Sequence, residues 1–245
     1  MSDETDIPPP PWQRLPERPA RRRRDPISRD AIVAAAIALM DRDGYDALSM
    51  RTLAEELGTG AASLYWHVGS KDGLLDLVMD QLIGEVVVPP ADPARWRDQL
   101  KELARTQRAT SLRHPYLVRL SIGRIPLGPN ALRLNEAVLA IMRAGGLPPR
   151  MAVQGFLMML EVVNGFTLDE TGVSGEELPP DPAARAEAGD MVTGYLKQLP
   201  GERFPNLNEL AGEFALADND ERFDLLIEVF VDGLARHAAG RDGAT

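Results

Sequence analysis

The sequence contains no cysteine, which excludes disulfides, thiolate metal ligands and thiol nucleophiles. Histidine is nearly as scarce. His67, His114 and His237 stand in three separate segments; none has an HExxH-type partner at helical spacing, and no GxSxG serine motif occurs. Without an activated nucleophile, a metal cluster or a coupled acid–base pair, a catalytic role is not expected, and neither is a cofactor or a bound metal. His237, near the end of the last helical pattern, reads as a solvated partner of the helix dipole. Strand alternation, internal repeats and a glycine-rich phosphate loop are missing as well. No uninterrupted apolar run reaches the ~18 residues of a membrane span, and no signal-type segment precedes the first helix. The expectation is a cytoplasmic protein with no membrane partner. Its 245 residues leave room for one or two domains and a sizeable core.

A succession of helical patterns fills the chain instead. Residues 1–27 are rich in proline and arginine, with PPPPW at Pro8–Trp12 and four consecutive arginines, Arg21–Arg24. Such a composition cannot bury a core, and it reads as an arm that tracks phosphates or enters a minor groove. A plain solubilising charge run is the alternative. Ser28 caps the first helix, whose Ile32, Val33, Ala36, Ile37 and Met40 recur at helical spacing until Asp43-Gly44. Another helix begins at Ser70 and shows Leu74, Leu75, Val78, Leu82 and Ile83. It forms a mechanical link from residues 28–88 to the segments beyond Pro89-Pro90. From Pro93 to about residue 240 every readable segment is helical, so the fold class is all-α. Helices are expected over about 93–112, 116–122, from Gly128-Pro129-Asn130 to Gly145, over 151–171, 183–199, and from the capping box Asp218-x-x-Glu221 onward. Residues 172–182 read as an acidic loop and 200–217 as mostly irregular. The net charge of −10 argues superficially against a nucleic-acid partner. Its distribution softens that: residues 11–71 carry ten basic against eight acidic side chains, and the acidic excess lies beyond them.

The most informative stretch is Leu48–Lys71, LSMRTLAEELGTGAASLYWHVGSK. Ser49 caps a helix bearing Leu53, Ala54 and Leu57, and Gly58 supplies a left-handed stop. Thr59 is placed to cap a second, very short helix from Gly60 to Trp66. Two short helices joined by a tight glycine turn read as a helix-turn-helix. Gly60, Ala61, Ala62 and Ser63 are small enough for the second helix to enter a major groove and touch thymine methyls. Tyr65, Trp66 and His67 come next as an exposed-looking trio. Tyr65 and His67 suit phosphate oxygens, Lys71 adds a charge-assisted phosphate contact, and Arg51 reaches a base edge or the backbone. Leu64 reads as core. A helical interaction module without DNA would leave the aromatic trio and Lys71 unexplained.

The same stretch, extended through DGLLDLVMD, resembles the DNA-binding signature of the TetR family of bacterial regulators. Leu53-Ala54, Leu57-Gly58, Leu64-Tyr65-Trp66-His67 and Lys71 fall where that family has them, and LYWHV is close to the tetracycline-repressor-like subgroup. The resemblance implies a ligand-responsive regulator, usually a repressor, that binds a near-palindromic double-stranded operator as a homodimer. It also implies that the Met151–Thr171 and Asp218–His237 helices meet their copies in a four-helix interface. Two reading helices related by a two-fold axis multiply the weak discrimination of one.

A resemblance to such repressors further implies a small-molecule pocket between the middle helices of the C-terminal part. Residues expected there are His114, Met142, Met158, Met159, Glu161, Asn164 and Phe166. Methionines fill irregular gaps, and Glu161 inside an apolar run needs a partner. Core packing is the alternative for the methionines, a satisfied interhelical bond for Asn164, and water at a helix edge for Glu161. His114 matches a histidine that holds a drug-bound magnesium ion in tetracycline repressors. This chain departs from them where further pocket histidines stand, reading Glu85-Val86-Val87-Val88 and Asn164-Gly165. Tetracycline–magnesium is therefore not the expected effector; a more apolar small molecule is.

Overall fold

Side-chain caps start several helices of this computed structural model, which describes residues 27–171, 182–215 and 218–238. The arm before Ile27 and the acidic loop 172–181 lie outside the described residues. Ser28 accepts from the Ala31 amide at 3.1 Å and opens α1 (Arg29–Asp43). Ser49 and Thr52 form a reciprocal box at the start of α2 (Met50–Glu56), with bonds of 3.0 and 2.9 Å. Gly58 turns the chain at φ +61°, a left-handed conformation that a residue with a Cβ adopts only at a cost. Next comes α3 (Ala61–Val68), whose N-cap is Gly60 without a side-chain bond. Thr59 is thus not the cap; its own amide is drawn back to the Ala54 carbonyl at 2.9 Å. Ser70 caps α4 (Lys71–Ile83) through the Gly73 amide.

The remaining elements are α5 (Trp96–Arg113), α6 (Tyr116–Ser121), α7 (Pro129–Ala144), α8 (Pro149–Thr171), α9 (Pro182–Lys197), α10 (Pro205–Glu209), α11 (Ala211–Ala215) and α12 (Asn219–Ala235). The described residues hold no strand. A single 3-10 turn, Tyr45–Ala47, precedes α2. Two of these helices, α10 and α11, occupy a stretch expected to be irregular; at five residues each they are shorter than a hydrophobic period can reveal.

Two apolar clusters organise the chain. In the head, Ile32, Leu53, Leu64 and Leu74 are fully buried where α1 to α4 meet, and α6 contributes Tyr116, Leu117 and Leu120 to the same cluster. By sequence position α6 comes after the linker, yet by packing it belongs to the head. In the body, Leu100, Ile141, Met142, Val163 and Phe223 join α5, α7, α8 and α12. Burying each such side chain contributes about 1.5–3 kcal/mol. Along the solvent side of the α5–α12 pair runs an antiparallel ladder, Arg97–Asp232, Lys101–Glu228 and Arg105–Asp224. Its members other than Lys101 are largely exposed, and the ladder sets register more than stability.

α8 has the length and mean hydropathy, 1.4, of a membrane span; counting uninterrupted apolar residues misses this because Gln154, Glu161 and Asn164 break the run. The helix instead packs Ala152, Gly155, Met159, Val163 and Thr167 into the body. Val153, Leu157 and Met158 point outward, half exposed, and Leu225 and Val229 do the same on the neighbouring α12.

Head and body are tied through α4. Asp80 accepts from the Ala131 amide at 2.9 Å and from Asn130, so it caps α7 from another helix. That approach needs Gly128, where a Cβ would collide with the Asp80 carboxylate. One turn and two turns earlier on α4, Asp76 and Asp72 receive Arg124 at 2.7 and 2.6 Å.

Candidate DNA-reading face and effector cavity

The outward face of α3 carries Gly60, Ala62, Tyr65 and Trp66. Trp66 is 65% exposed and Tyr65 47%, large aromatic areas for a solvated helix of eight residues. Both lie within one turn of Ala62, so the small residues form a shallow floor with an aromatic rim. Leu64 and Val68 point the other way and anchor the helix in the head. Ala61 is half-buried against the same cluster. The Ser63 hydroxyl is sequestered inside, without a hydrogen-bond partner among the described residues, so this side chain is not presented outward. The His67 ring packs edge-on to Trp66 with centroids 4.7 Å apart.

Among the described residues, three cations flank this face. Arg51 on α2 is exposed, with only a loose pairing to Glu55 at 3.8 Å. Lys71 is partly committed: its ammonium donates to the Leu48 carbonyl at 2.7 Å and lies over the Tyr45 ring. Two N–H donors remain on that group. The third cation, Arg29, was not among the expected site residues. Its Nε donates to the His67 carbonyl at 3.2 Å, which places an exposed guanidinium at the C-terminal end of α3. A signal for it exists in the sequence, because a cation in the first turn of a helix opposes the macrodipole and asks for another purpose.

The residues expected to line a pocket do not converge. A cleft between α5, α7, α8 and the chain after α4 is bounded by Val86, by Leu103 and Gln107 of α5, by Leu134, Asn135 and Val138 of α7, and by Phe156, Met159 and Leu160 of α8. Met159 is the one expected residue in this wall. Asn164 stands behind it, accepting from Gln107 at 3.3 Å. Met142 is fully buried in the body core, and Phe166 packs against Phe223 at 5.2 Å. Met158 and Glu161 face outward from α8, since the helix buries only one side of its apolar surface within the protomer. His114 turns away from the cleft altogether. Its Nδ1 lies 2.8 Å from Asp41 of α1, whose carboxylate also accepts from Tyr116 Oη at 2.8 Å, and its Nε2 is 3.7 Å from Glu85. Burial and the Asp41 hydrogen bond push the Tyr116 phenol well above its ordinary pKa, so it stays a donor. His114 thus belongs to the head–body junction.

The cleft is narrow: its volume, about 10 Å³, has room for about one water, so its walls nearly meet. Val86 is 3% exposed and lies two residues beyond Gly84, the C-cap of α4. The cavity wall and the end of the linking helix are therefore one short piece of chain.

An all-helical chain with a helix-turn-helix head, a cation-flanked reading helix and a separate helical body with an apolar cleft defines a DNA-binding transcriptional regulator of the two-part kind. Residues 32–78 match the bacterial regulatory proteins of the tetR family, and residues 89–238 match the tetracyclin repressor-like C-terminal domain. The chain belongs to the TetR family of transcriptional regulators. Its fold is similar to that of ActR from Streptomyces coelicolor in complex with actinorhodin, at a TM-score of 0.79 and 41% identity, covering 88% of this chain and all of that one. It is 31% identical over 238 residues to the transcriptional repressor DrrR1 of Streptomyces coeruleorubidus, covering 92% of this chain and 84% of that protein. A transcriptional regulator of Saccharopolyspora erythraea is 44% identical over 120 residues; the match covers 49% of this chain and about half, 51%, of that protein.

Proposed function

We propose that the protein is a homodimeric, small-molecule-released repressor that acts on a near-palindromic operator in the cytoplasm and catalyses no reaction. The observation that carries this reading is Val86, which is both cavity wall and the end of the linking segment. A molecule entering a cleft that is nearly closed must part its walls. The displaced Val86 pulls on α4, and α4 carries α3 through the head core they share. The ligand therefore has a direct differential interaction with two head positions, as coupling between sites requires. ActR, solved with actinorhodin, supports a small organic effector.

In the dimer, the outward Val153, Leu157 and Met158 of α8 and Leu225 and Val229 of α12 meet their copies. Gly60 and Ala62 approach the major groove, Tyr65 and Trp66 pack along its edge, and Arg29, Arg51 and Lys71 neutralise phosphates.

Selecting bound duplexes from a random pool, alongside the solution mass, tests the proposal. The expected result is a dimer that enriches a two-fold symmetric site with half-sites about one helical turn apart. A monomer, or a pool without enrichment at moderate salt, contradicts it and favours a helical interaction module.

A further inference from the structure

We infer that the effector cavity selects an uncharged, flat, largely apolar molecule bearing one hydroxyl or carbonyl edge, read by Asn135 and Gln107; the inference rests on the reading of this cleft as the effector site. Among the described residues, no side chain that lines the cleft is ionisable. Its walls are aliphatic, aromatic and thioether surface, interrupted by two amides. Neither nearby arginine is part of the lining. Arg108, one residue from Gln107, is held by Glu170 at 2.5 Å and Asp220 at 2.7 Å. Arg133 reaches round to the Val86 carbonyl at 3.4 Å from an exposed position on α7. A charged ligand would lose its hydration here and find no counter-charge, a cost of several kcal/mol for an unpaired ion. Specificity against ions follows from what the walls lack.

The two amides supply the polar end. Asn135 makes no side-chain hydrogen bond among the described residues, although it faces an otherwise apolar cleft. Gln107 makes a single long bond, 3.3 Å to Asn164, and keeps its carbonyl and a second N–H open. An amide both donates and accepts, so the pair suits a hydroxyl or a carbonyl without requiring charge. Unbranched Met159 and the half-buried Phe156 ring can part to admit a flat body, which makes ring thickness the easiest dimension to accommodate.

The test uses four probes on one bicyclic skeleton at neutral pH: 2-naphthol, 2-methylnaphthalene, 2-naphthoate and 2-naphthylmethylammonium. Calorimetry gives affinity, and the methyl resonance of Met159, assigned with Met159→Leu, reports location. The expected result is that 2-naphthol shifts the Met159 methyl and binds at least about tenfold more tightly than either ion, a difference near 1.4 kcal/mol. Gln107→Leu with Asn135→Leu lowers 2-naphthol affinity about tenfold while leaving 2-methylnaphthalene unchanged. An ion that binds at Met159 as tightly as 2-naphthol overturns the selectivity and leaves the effector cavity standing. Failure of every probe to move the Met159 methyl overturns the inference and the cavity reading together.

Discussion

Arg108→Ala lowers the unfolding free energy of the body by about 3–5 kcal/mol, the range seen when one partner of a buried ion pair is deleted. Arg108 is 8% exposed. It meets Glu170 through two parallel bonds, Nε to Oε2 at 2.8 Å and Nη2 to Oε1 at 2.5 Å, and reaches Asp220 with its third nitrogen. Its plane also lies against Phe223 and Phe166, with centroid distances of 4.9 and 5.6 Å. The Glu170 hydrogen bonds, and then those of Asp220, hold the guanidinium above its ordinary pKa against the opposing effect of burial. Deletion leaves the Glu170 carboxylate, itself 11% exposed, without its two-pronged partner near the end of α8. Three helices lose their common tie there: α5, the end of α8 and the start of α12. Arg108→Lys falls between wild type and alanine, because an ammonium cannot form the two-pronged bond. Asp220→Ala stays within about 1 kcal/mol, since its carboxylate is 83% exposed. Urea unfolding measures all three, and an Arg108→Ala transition at the wild-type midpoint would show that the cluster contributes no stability.

The second large effect falls on DNA affinity. Arg29→Ala with Arg51→Ala removes two exposed cations per protomer, four in the proposed dimer, from the flanks of α3. If all four neutralise phosphates, the slope of log K against log salt falls by about 3.6. At 0.15 M salt that corresponds to a loss of about 100- to 1,000-fold, similar for the selected operator and for unrelated duplex. Stability moves little, because neither side chain is buried. Titrating the selected duplex at several salt concentrations gives both quantities. An unchanged slope would remove Arg29 and Arg51 from the phosphate-binding surface.

How much of this was legible in the sequence depended on whether the deciding interaction is local. Four helix starts are set by side chains two or three residues away, so Ser28, Ser49, Ser70 and Asp218 mark them correctly. The exposure of Tyr65 and Trp66 was legible for a similar reason: α3 is too short to hide them once Leu64 takes the core. The cleft was not. Methionines and a carboxylate on α8 stand out against an apolar background, but a helix has several sides, and Met158 and Glu161 fall on the outward one. Gln107 and Asn135 pass for solvated polar residues until α5 and α7 are seen to share a cavity. His114 shows the same limit, since its partner Asp41 is 73 residues away.

If opening the cleft moves the heads, a distance between heads measures the coupling most directly. The absence of cysteine lets Ala38→Cys, exposed on α1, carry one spin label per protomer. Val138→Trp then wedges the cleft from α7, and Ala109→Trp, exposed on α5, serves as control. Val138→Trp is expected to change the label-to-label distance by more than about 2 Å, the scale of helix shifts in switching proteins, and to weaken binding of the selected operator. The control should change neither. A folded Val138→Trp dimer with the wild-type distance and wild-type operator affinity would contradict the coupling of cleft to heads.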